Sequence, residues 1–125
     1  MRRLGSAACA AFMLAALPAA ADTIASPPIY GGLTQKFMVC YVFNAGTTAI
    51  GITATKGYTD LGVVGTLSST CPASLQPGKT CQMVVSILND IAHGCLINLS
   101  NKANARASVE IRDVNAKVLN RADLR

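Results

Sequence analysis

Hydrophobic and polar residues alternate along much of this chain with a period of two, which is the spacing of side chains on the two faces of a β-strand. Residues 105–113 are the clearest case. One face carries small or aliphatic side chains and the other carries polar or charged ones: Ala105, Ala107, Val109 and Ile111 against Arg106, Ser108, Glu110 and Arg112. Residues 117–120 follow after a turn, so these two segments predict a C-terminal hairpin.

Two segments in the first half of the chain also predict strands. Residues 36–44 (KFMVCYVFN) are rich in β-branched and aromatic side chains and apolar on both faces, which is typical of a central strand. Residues 47–55 are expected to divide between two faces, with Ile50, Ile52 and Ala54 on one face and Gly51, Thr53 and Thr55 on the other.

Further strands are expected at residues 61–67, 80–88 and 95–100. Between them, residues 76–79 fit a type II turn, because Pro77 presets φ at the second position and Gly78 tolerates a positive φ at the third. No segment has a helical period of useful length. Roughly seven short strands in about 100 residues favour an all-β fold, an antiparallel two-sheet sandwich that is immunoglobulin-like in architecture.

The first residues have the three parts of a secretory signal. Arg2 and Arg3 are basic, residues 4–17 are uncharged, and Ala19 and Ala21 suit a cleavage site. An apolar run of roughly 14 residues is shorter than the ~20 that a membrane-spanning helix needs. We therefore expect a cleaved signal peptide at 1–21, no transmembrane anchor afterwards, and a secreted or periplasmic bacterial protein.

The mature chain is expected to have an extended lead-in at 22–35, because Pro27, Pro28, Gly31 and Gly32 disfavour regular structure. A single domain would then occupy 36–125. Loss of the signal removes two of eleven basic residues, which leaves nine Lys and Arg against six Asp and Glu. A net charge of about +3 is well below that of nucleic-acid-binding domains, so we expect no nucleic-acid partner.

Four cysteines remain after Cys9 leaves with the signal, and they allow three pairings between which the sequence alone does not choose. We favour Cys71–Cys81, which encloses a compact turn, together with Cys40–Cys95. The second spacing is similar to that of the inter-sheet disulfide of immunoglobulin domains, although the chain contains no Trp to pack against it. A redox enzyme is disfavoured because no C-x-x-C motif is present.

Other chemistry has little support in the sequence. His93 is the single histidine, and it is expected to be a surface-loop residue, so we expect no metal site and no cofactor. Serines lie in no nucleophile-elbow context, and the acidic residues are scattered among turns. We therefore expect a protein that is not an enzyme, with no catalytic residue.

Basic residues are concentrated in the C-terminal third, where Arg106, Arg112 and Lys117 could share a solvent face of the predicted hairpin. Together with Lys79 in the 71–81 loop, these are the candidate surface-contact residues. As a functional surface they would contact an anionic envelope polymer, a lipid headgroup or an acidic partner. The interpretation that we favour is a solvated strand face that discourages edge pairing.

Three segments, CYVFNAGTT, CPASLQPGKTC and the closing NKANARASVEIRDVNAKVLNRADLR, resemble those of small exported bacterial proteins of uncharacterised function. The resemblance implies an exported β-sandwich and supplies no catalytic residue. The leading hypothesis is a binding or structural module of the bacterial envelope or extracellular space that contacts another protein or an anionic polymer. The alternative is a secreted hydrolase inhibitor that presents the 71–81 disulfide loop.

Overall fold

Two antiparallel β-sheets make up the described part of the protein. The computed structural model describes residues 21–65 and 68–124, so the expected signal segment lies outside it except for Ala21. The described part contains ten strands: β1 (Asp22–Ala25), β2 (Phe37–Asn44), β3 (Ile50–Thr59), β4 (Gly62–Val64), β5 (Ser68–Ser69), β6 (Ser74–Leu75), β7 (Thr80–Ser86), β8 (Gly94–Leu99), β9 (Ala105–Arg112) and β10 (Val118–Asp123). Seven of them have four or more residues; six of these match expected strands, whereas β1 was not expected and the strand expected at 61–67 is the three-residue β4.

The first sheet has the order β1-β8-β3-β4, and β6 also pairs with β3. The second sheet has the order β10-β9-β2-β7-β5. All of these pairings are antiparallel, and β2 is the central strand of its sheet, as its sequence predicted. The expected all-β, two-sheet class is therefore confirmed.

The core lies between the sheets and is formed by the alternate, inward-facing residues of each long strand. In β9 the predicted faces are correct, because Val109 and Ile111 are fully buried while Arg106 is exposed. Burial of such side chains is the main source of stability in a domain of this size. The largest members come from both sheets: Met38, Val42, Met83, Val85, Val109 and Ile111 from the second, and Ile50, Ile97 and Leu99 from the first.

Both favoured cysteine pairs are present. Cys40 in β2 bonds to Cys95 in β8, which joins the two sheets with a Cα–Cα distance of 6.2 Å. Cys71 bonds to Cys81 in β7, with a Cα–Cα distance of 4.8 Å. Cys40 and Cys95 are completely buried, so this disulfide passes through the middle of the core.

The expected faces of β3 are wrong beyond Ile52, because the strand contains a bulge. Its pairing with β8 shifts between Ile52 and Ala54. A bulge adds one residue to one strand and so exchanges the two faces. Ala54 is therefore paired with the outward Asn98, and Thr55 with the buried Ile97.

The lead-in also differs from the expectation, because its first four residues form β1. They pair with β8, and Ile24 is buried beneath the sheet. Residues 26–36 then cross one end of the sandwich, where the buried Gln35 side chain donates hydrogen bonds to the carbonyls of Asn89 and Ile91. The strand expected at 61–67 is the short β4, and Thr66 and Leu67 lie outside the described residues.

The strand directions define two ends of the sandwich. The upper end carries the connections 45–49, 76–79 and 100–104, and the lower end carries 26–36, 60–61, 87–93 and 113–117. β1 begins and β10 finishes at the upper end. These two edge strands flank a cleft of about 460 Å³ whose lining includes Ile24 and Leu124.

Candidate functional site

Most of the polar and charged side chains of the strands in the second sheet lie on its outer face. Because side chains alternate along a strand, the residues of β2 and β9 that do not enter the core all point outward. In register, Phe43 pairs with Arg106, Tyr41 with Ser108, and Val39 with Glu110. The face thus brings aromatic rings of β2 beside charged side chains of β9.

Glu110 is the centre of an ion-pair cluster on this face. Its side chain is only 11% exposed, although it points away from the core. Arg112 donates hydrogen bonds from Nε and Nη2 to Glu110 Oε2, at 3.0 and 2.6 Å. Arg121 of β10 is a weaker partner, because its Nη1 is 3.8 Å from Glu110 Oε1 and its side chain is 61% exposed. Arg112 is therefore held in place, whereas Arg121 is largely free.

Tyr41 completes the fixation of Arg112. The guanidinium donates from Nη2 to Tyr41 Oη at 2.9 Å, and its carbon lies 6.0 Å from the centre of the ring. The hydrogen bond to Glu110 raises the pKa of Arg112 above its ordinary value, although partial burial acts in the opposite direction. Arg112 thus keeps its charge, but that charge is already neutralised by Glu110.

A shallow groove of about 200 Å³ lies next to this cluster, toward the upper end. We call it the arginine–aromatic groove, and its lining consists of Tyr41, Phe43, Arg106, Ala107, Ser108, Arg121 and Asp123. Arg106 uses Nη1 to donate to the carbonyls of Ala103 and Ala105, at 3.1 and 2.8 Å. These bonds orient the guanidinium, and among the described residues its Nε and Nη2 have no hydrogen-bond acceptor.

The four candidate contact residues of the sequence do not form one patch. Arg106 and Arg112 share the outer face of β9 but are six residues apart, which is about 20 Å along a strand. Lys79 lies with Arg106 at the upper end, because its carbonyl accepts a hydrogen bond from the backbone N–H of Asn44. Lys117 lies at the lower end, in the turn before β10, where its backbone N–H donates to Asp113.

Sequence reasoning missed three residues of the groove: Tyr41, Phe43 and Arg121. The signal for the two rings was present, since 36–44 is apolar on both faces. One of those faces is at the surface, where Phe43 is 39% exposed. No local signal identifies Arg121, because it reaches this face only through the pairing of β10 with β9.

The 71–81 loop lies against the domain for most of its length. Leu75 is buried, β6 pairs with Ile50 and Gly51, and Asn44 Nδ2 donates to the Leu75 carbonyl at 2.8 Å. The expected type II turn at its tip is confirmed by the φ of +70° at Gly78 and by the bond from Lys79 N to Gln76 O. The exposed parts of the loop are residues 72–74 and the tip at 76–80.

His93 is not the surface-loop residue that was expected. It is 2% exposed, bridges to Ile29, and its Nδ1 lies 2.9 Å from the Ile91 carbonyl oxygen. It therefore helps to close the lower end of the core. Within residues 21–65 and 68–124, no three His, Cys, Asp or Glu side chains are placed to hold a metal ion, and no helix is long and apolar enough to span a bilayer.

The fold and the site define an all-β protein of two sheets with two disulfides and a polar outer face. Comparison of the chain with family models, with curated proteins and with solved structures finds no match. The two disulfides indicate an oxidising compartment, such as the periplasm or the extracellular space.

Proposed function

We propose that this protein is an exported, non-enzymatic binding module of the bacterial envelope or extracellular space. We propose further that its arginine–aromatic groove binds a carboxylate-rich macromolecule. The observation that carries the proposal is the placement of Arg106 and Arg121 beside the rings of Tyr41 and Phe43 on one rigid sheet. Of the described residues that line the groove, Asp123 alone carries a negative charge.

The groove offers two kinds of contact that reinforce each other. A guanidinium presents its donors in a planar fork that matches a carboxylate, which makes the hydrogen bonds short and specific. Partly exposed rings give apolar contact area and lose little side-chain entropy on binding. Arg112 is excluded from this role because Glu110 already neutralises it.

Rigidity of the groove also supports a binding role. Tyr41 and Phe43 lie on β2, which is paired on both sides and anchored through Cys40 to the other sheet. A surface that is ordered before binding loses less conformational entropy when the partner arrives. The same features support an immunoglobulin-like architecture, in which a buried disulfide joins central strands of the two sheets.

Export is supported by the signal-like start of the chain and by the two disulfides. Outside the cytoplasm, carboxylates in a row occur both in acidic protein segments and in uronic-acid polysaccharides. The groove recognises the chemistry that these two sources share. Which source is the partner is decided by experiment.

The test is fluorescence anisotropy with two labelled probes, an oligoglutamate peptide and an oligogalacturonate. The binding variant is Arg106→Ala/Arg121→Ala. The matched control is Lys36→Ala/Lys117→Ala, which removes the same charge at the lower end. We expect the arginine variant to bind at least about tenfold more weakly and the control to bind like the wild type.

Binding should also weaken as salt is added, because exposed charges are screened. Preference for one probe identifies the source of the carboxylates. Equal loss in both variants would mean that net charge alone attracts the probes, which contradicts a role for the groove. Failure of the wild type to bind either probe at low salt contradicts the proposal outright.

A further inference from the structure

The strands at the ends of the two sheets differ in length, and β10 is the longest of them. β1, β4 and β5 have four, three and two residues, whereas β10 has six. A short edge strand offers few backbone groups for pairing with another chain, which is one way in which proteins protect such edges. Of the described edges, β10 is therefore the one best able to accept a further strand.

Backbone groups in the upper half of β10 point away from the domain. The N–H of Leu124 donates to the carbonyl of Ala107 in β9 at 2.9 Å, so these two residues form a hydrogen-bonded pair. Backbone groups of successive residues in such a strand point to opposite sides. Those of Arg121 and Asp123 therefore point away from β9, where no other described strand pairs with β10. The Arg121 N–H is engaged locally, since it donates to the Asn120 side chain at 2.8 Å.

Two recesses beside β10 show that its free edge is accessible. One is the cleft of about 460 Å³ that β1 and β10 flank, and the other has a volume of about 380 Å³ and is lined by Ala25, Pro27, Ala122 and Asp123. Asp123 lines both of them, and its side chain is exposed. No described segment of the backbone therefore covers this edge at Asp123.

The charges of β10 are complementary to themselves when two copies of the strand run antiparallel. Arg121 and Asp123 lie two residues apart on the outer face, where they pair with Glu110 and Ser108 of β9. A two-fold axis through Ala122 places Arg121 of each copy directly opposite Asp123 of the other. Opposite charges at directly opposed positions stabilise a pair of strands, whereas like charges destabilise it.

The neighbouring registers are disfavoured by the same charges or by the shape of the strand. An axis through Arg121 would set two arginines against each other, and an axis through Asp123 would do the same with two aspartates. An axis nearer the start of β10 would carry the pairing across the bulge between Val118 and Asn120, where the regular ladder is interrupted. The axis through Ala122 avoids both problems.

The backbone and side chains of Arg121 and Asp123 suit this register. The outward N–H of Asp123 in each copy would donate to the outward carbonyl of Arg121 in the other. The N–H of Arg121 would exchange its bond to the Asn120 side chain for one to the carbonyl of Asp123 in the second copy. The Arg121 side chain is 61% exposed and lies 3.8 Å from its nearest carboxylate, Glu110, so its guanidinium is free to bind a closer one.

We propose that two copies of this chain form a symmetric dimer by antiparallel pairing of β10, in which Arg121 of each copy binds Asp123 of the other. The second sheets of both copies then form one continuous sheet, and the two arginine–aromatic grooves lie on the same face of it. The inference rests on the edge and the charges of β10 and is independent of the proposed function. Because both use Arg121, a carboxylate bound at this residue would compete with Asp123 of the second copy.

The test is sedimentation equilibrium of the purified protein without any ligand, at concentrations up to about 1 mM because a small interface binds weakly. Arg121→Asp and Asp123→Arg each set like charges opposite each other, whereas the Arg121→Asp/Asp123→Arg protein restores opposite charges. Lys36→Asp is the matched control for Arg121→Asp, because it makes the same change of charge at the lower end. We expect the wild type, the control and the double variant to dimerise. Each single variant should associate at least about tenfold more weakly than the wild type.

A mixture of the two single variants tests the register itself. Opposite charges face each other across the axis only when one Arg121→Asp chain pairs with one Asp123→Arg chain, so the mixture should associate more tightly than either variant alone. Circular dichroism verifies that each variant is folded.

Three outcomes would overturn the proposal. A wild type that stays monomeric at every concentration would leave the edge to a strand of a different protein. Single variants that associate as the wild type does would place the contact on another surface. Failure of both the double variant and the mixture to recover association would contradict the pairing of Arg121 with Asp123.

Discussion

The two disulfides should differ in their contribution to stability, and the difference follows from their loops and their burial. Cys40 and Cys95 are separated by 55 residues, and Cys71 and Cys81 by 10. A disulfide restricts the unfolded chain more strongly when it closes a longer loop. In that chain-entropy model, the first bond contributes about 4 kcal/mol and the second about 3 kcal/mol.

Burial increases this difference. Cys40 and Cys95 are fully buried between the sheets, so replacing both with alanine also removes two sulfur atoms from the core. The lost packing adds roughly 1–2 kcal/mol. Cys81 is buried as well, but Cys71 is only half-buried, so the Cys71→Ala/Cys81→Ala protein removes one buried sulfur atom instead of two and loses less packing.

The measurement is urea denaturation of both double-alanine variants, followed by circular dichroism. For a domain with a typical net stability of about 5–15 kcal/mol, the Cys40→Ala/Cys95→Ala protein should lose about 5–6 kcal/mol, which is between a third and all of it. The Cys71→Ala/Cys81→Ala protein should stay folded, with a midpoint lower by about 2 M if the slope is about 1.5 kcal/mol/M. A midpoint for the Cys71 variant at or below that of the Cys40 variant would refute the reasoning.

Two further predictions concern single side chains. Glu110→Gln should lower the free energy of unfolding by about 1–3 kcal/mol, because the charged hydrogen bonds of Arg112 are lost, whereas Arg121→Gln should change it by less than about 0.5 kcal/mol. Urea denaturation compares them. The hydrogen bond to Asp90 raises the pKa of Tyr30, so Asp90→Asn should shift its ultraviolet titration to lower pH.

Each of these has a clear contrary result. Equal losses in Glu110→Gln and Arg121→Gln would mean that the short ion pair on this face is no stronger than the long one. For Tyr30, the raised pKa determines how the stability of the fold changes with pH. The bond to Asp90 stabilises the fold below about pH 10 and is lost as the phenol ionises above it. The titration of Tyr30 is isolated by comparison with the Tyr30→Phe protein. If Asp90→Asn leaves that titration unchanged, the result contradicts the contact between Tyr30 and Asp90.

Alternation in the sequence was enough to locate the long strands and the core. The faces of β9 were correctly predicted because its pairing with β2 runs without a register shift from Ala105 to Arg112. Prediction failed in β3, where the bulge near Thr53 exchanges the faces. The bulge is visible only in the pairing of β3 with β8, so the alternation of residues within β3 does not predict it.

The groove and the lower end could be predicted only in part, for the same reason. Arg106 was identified from local charge, but its neighbours Phe43 and Arg121 lie far from it in the chain. The burial of His93 depends on its bridge to Ile29 in the lead-in. The two prolines of that segment predicted no regular structure, so the bridge was not expected. Properties that arise from tertiary pairing cannot be predicted from any one segment of the sequence.

The position of β1 and β10 has a practical consequence for anyone who handles the protein. The first strand begins and the last strand finishes at the upper end, on either side of the cleft that Ile24 and Leu124 help to line. A tag or resin attached to either strand therefore emerges near the arginine–aromatic groove and leaves the connections of the lower end unobstructed. A circular permutant would join residue 124 to residue 22 by a short linker and open the chain within 45–49. Its attachment point would then lie at another connection of the upper end.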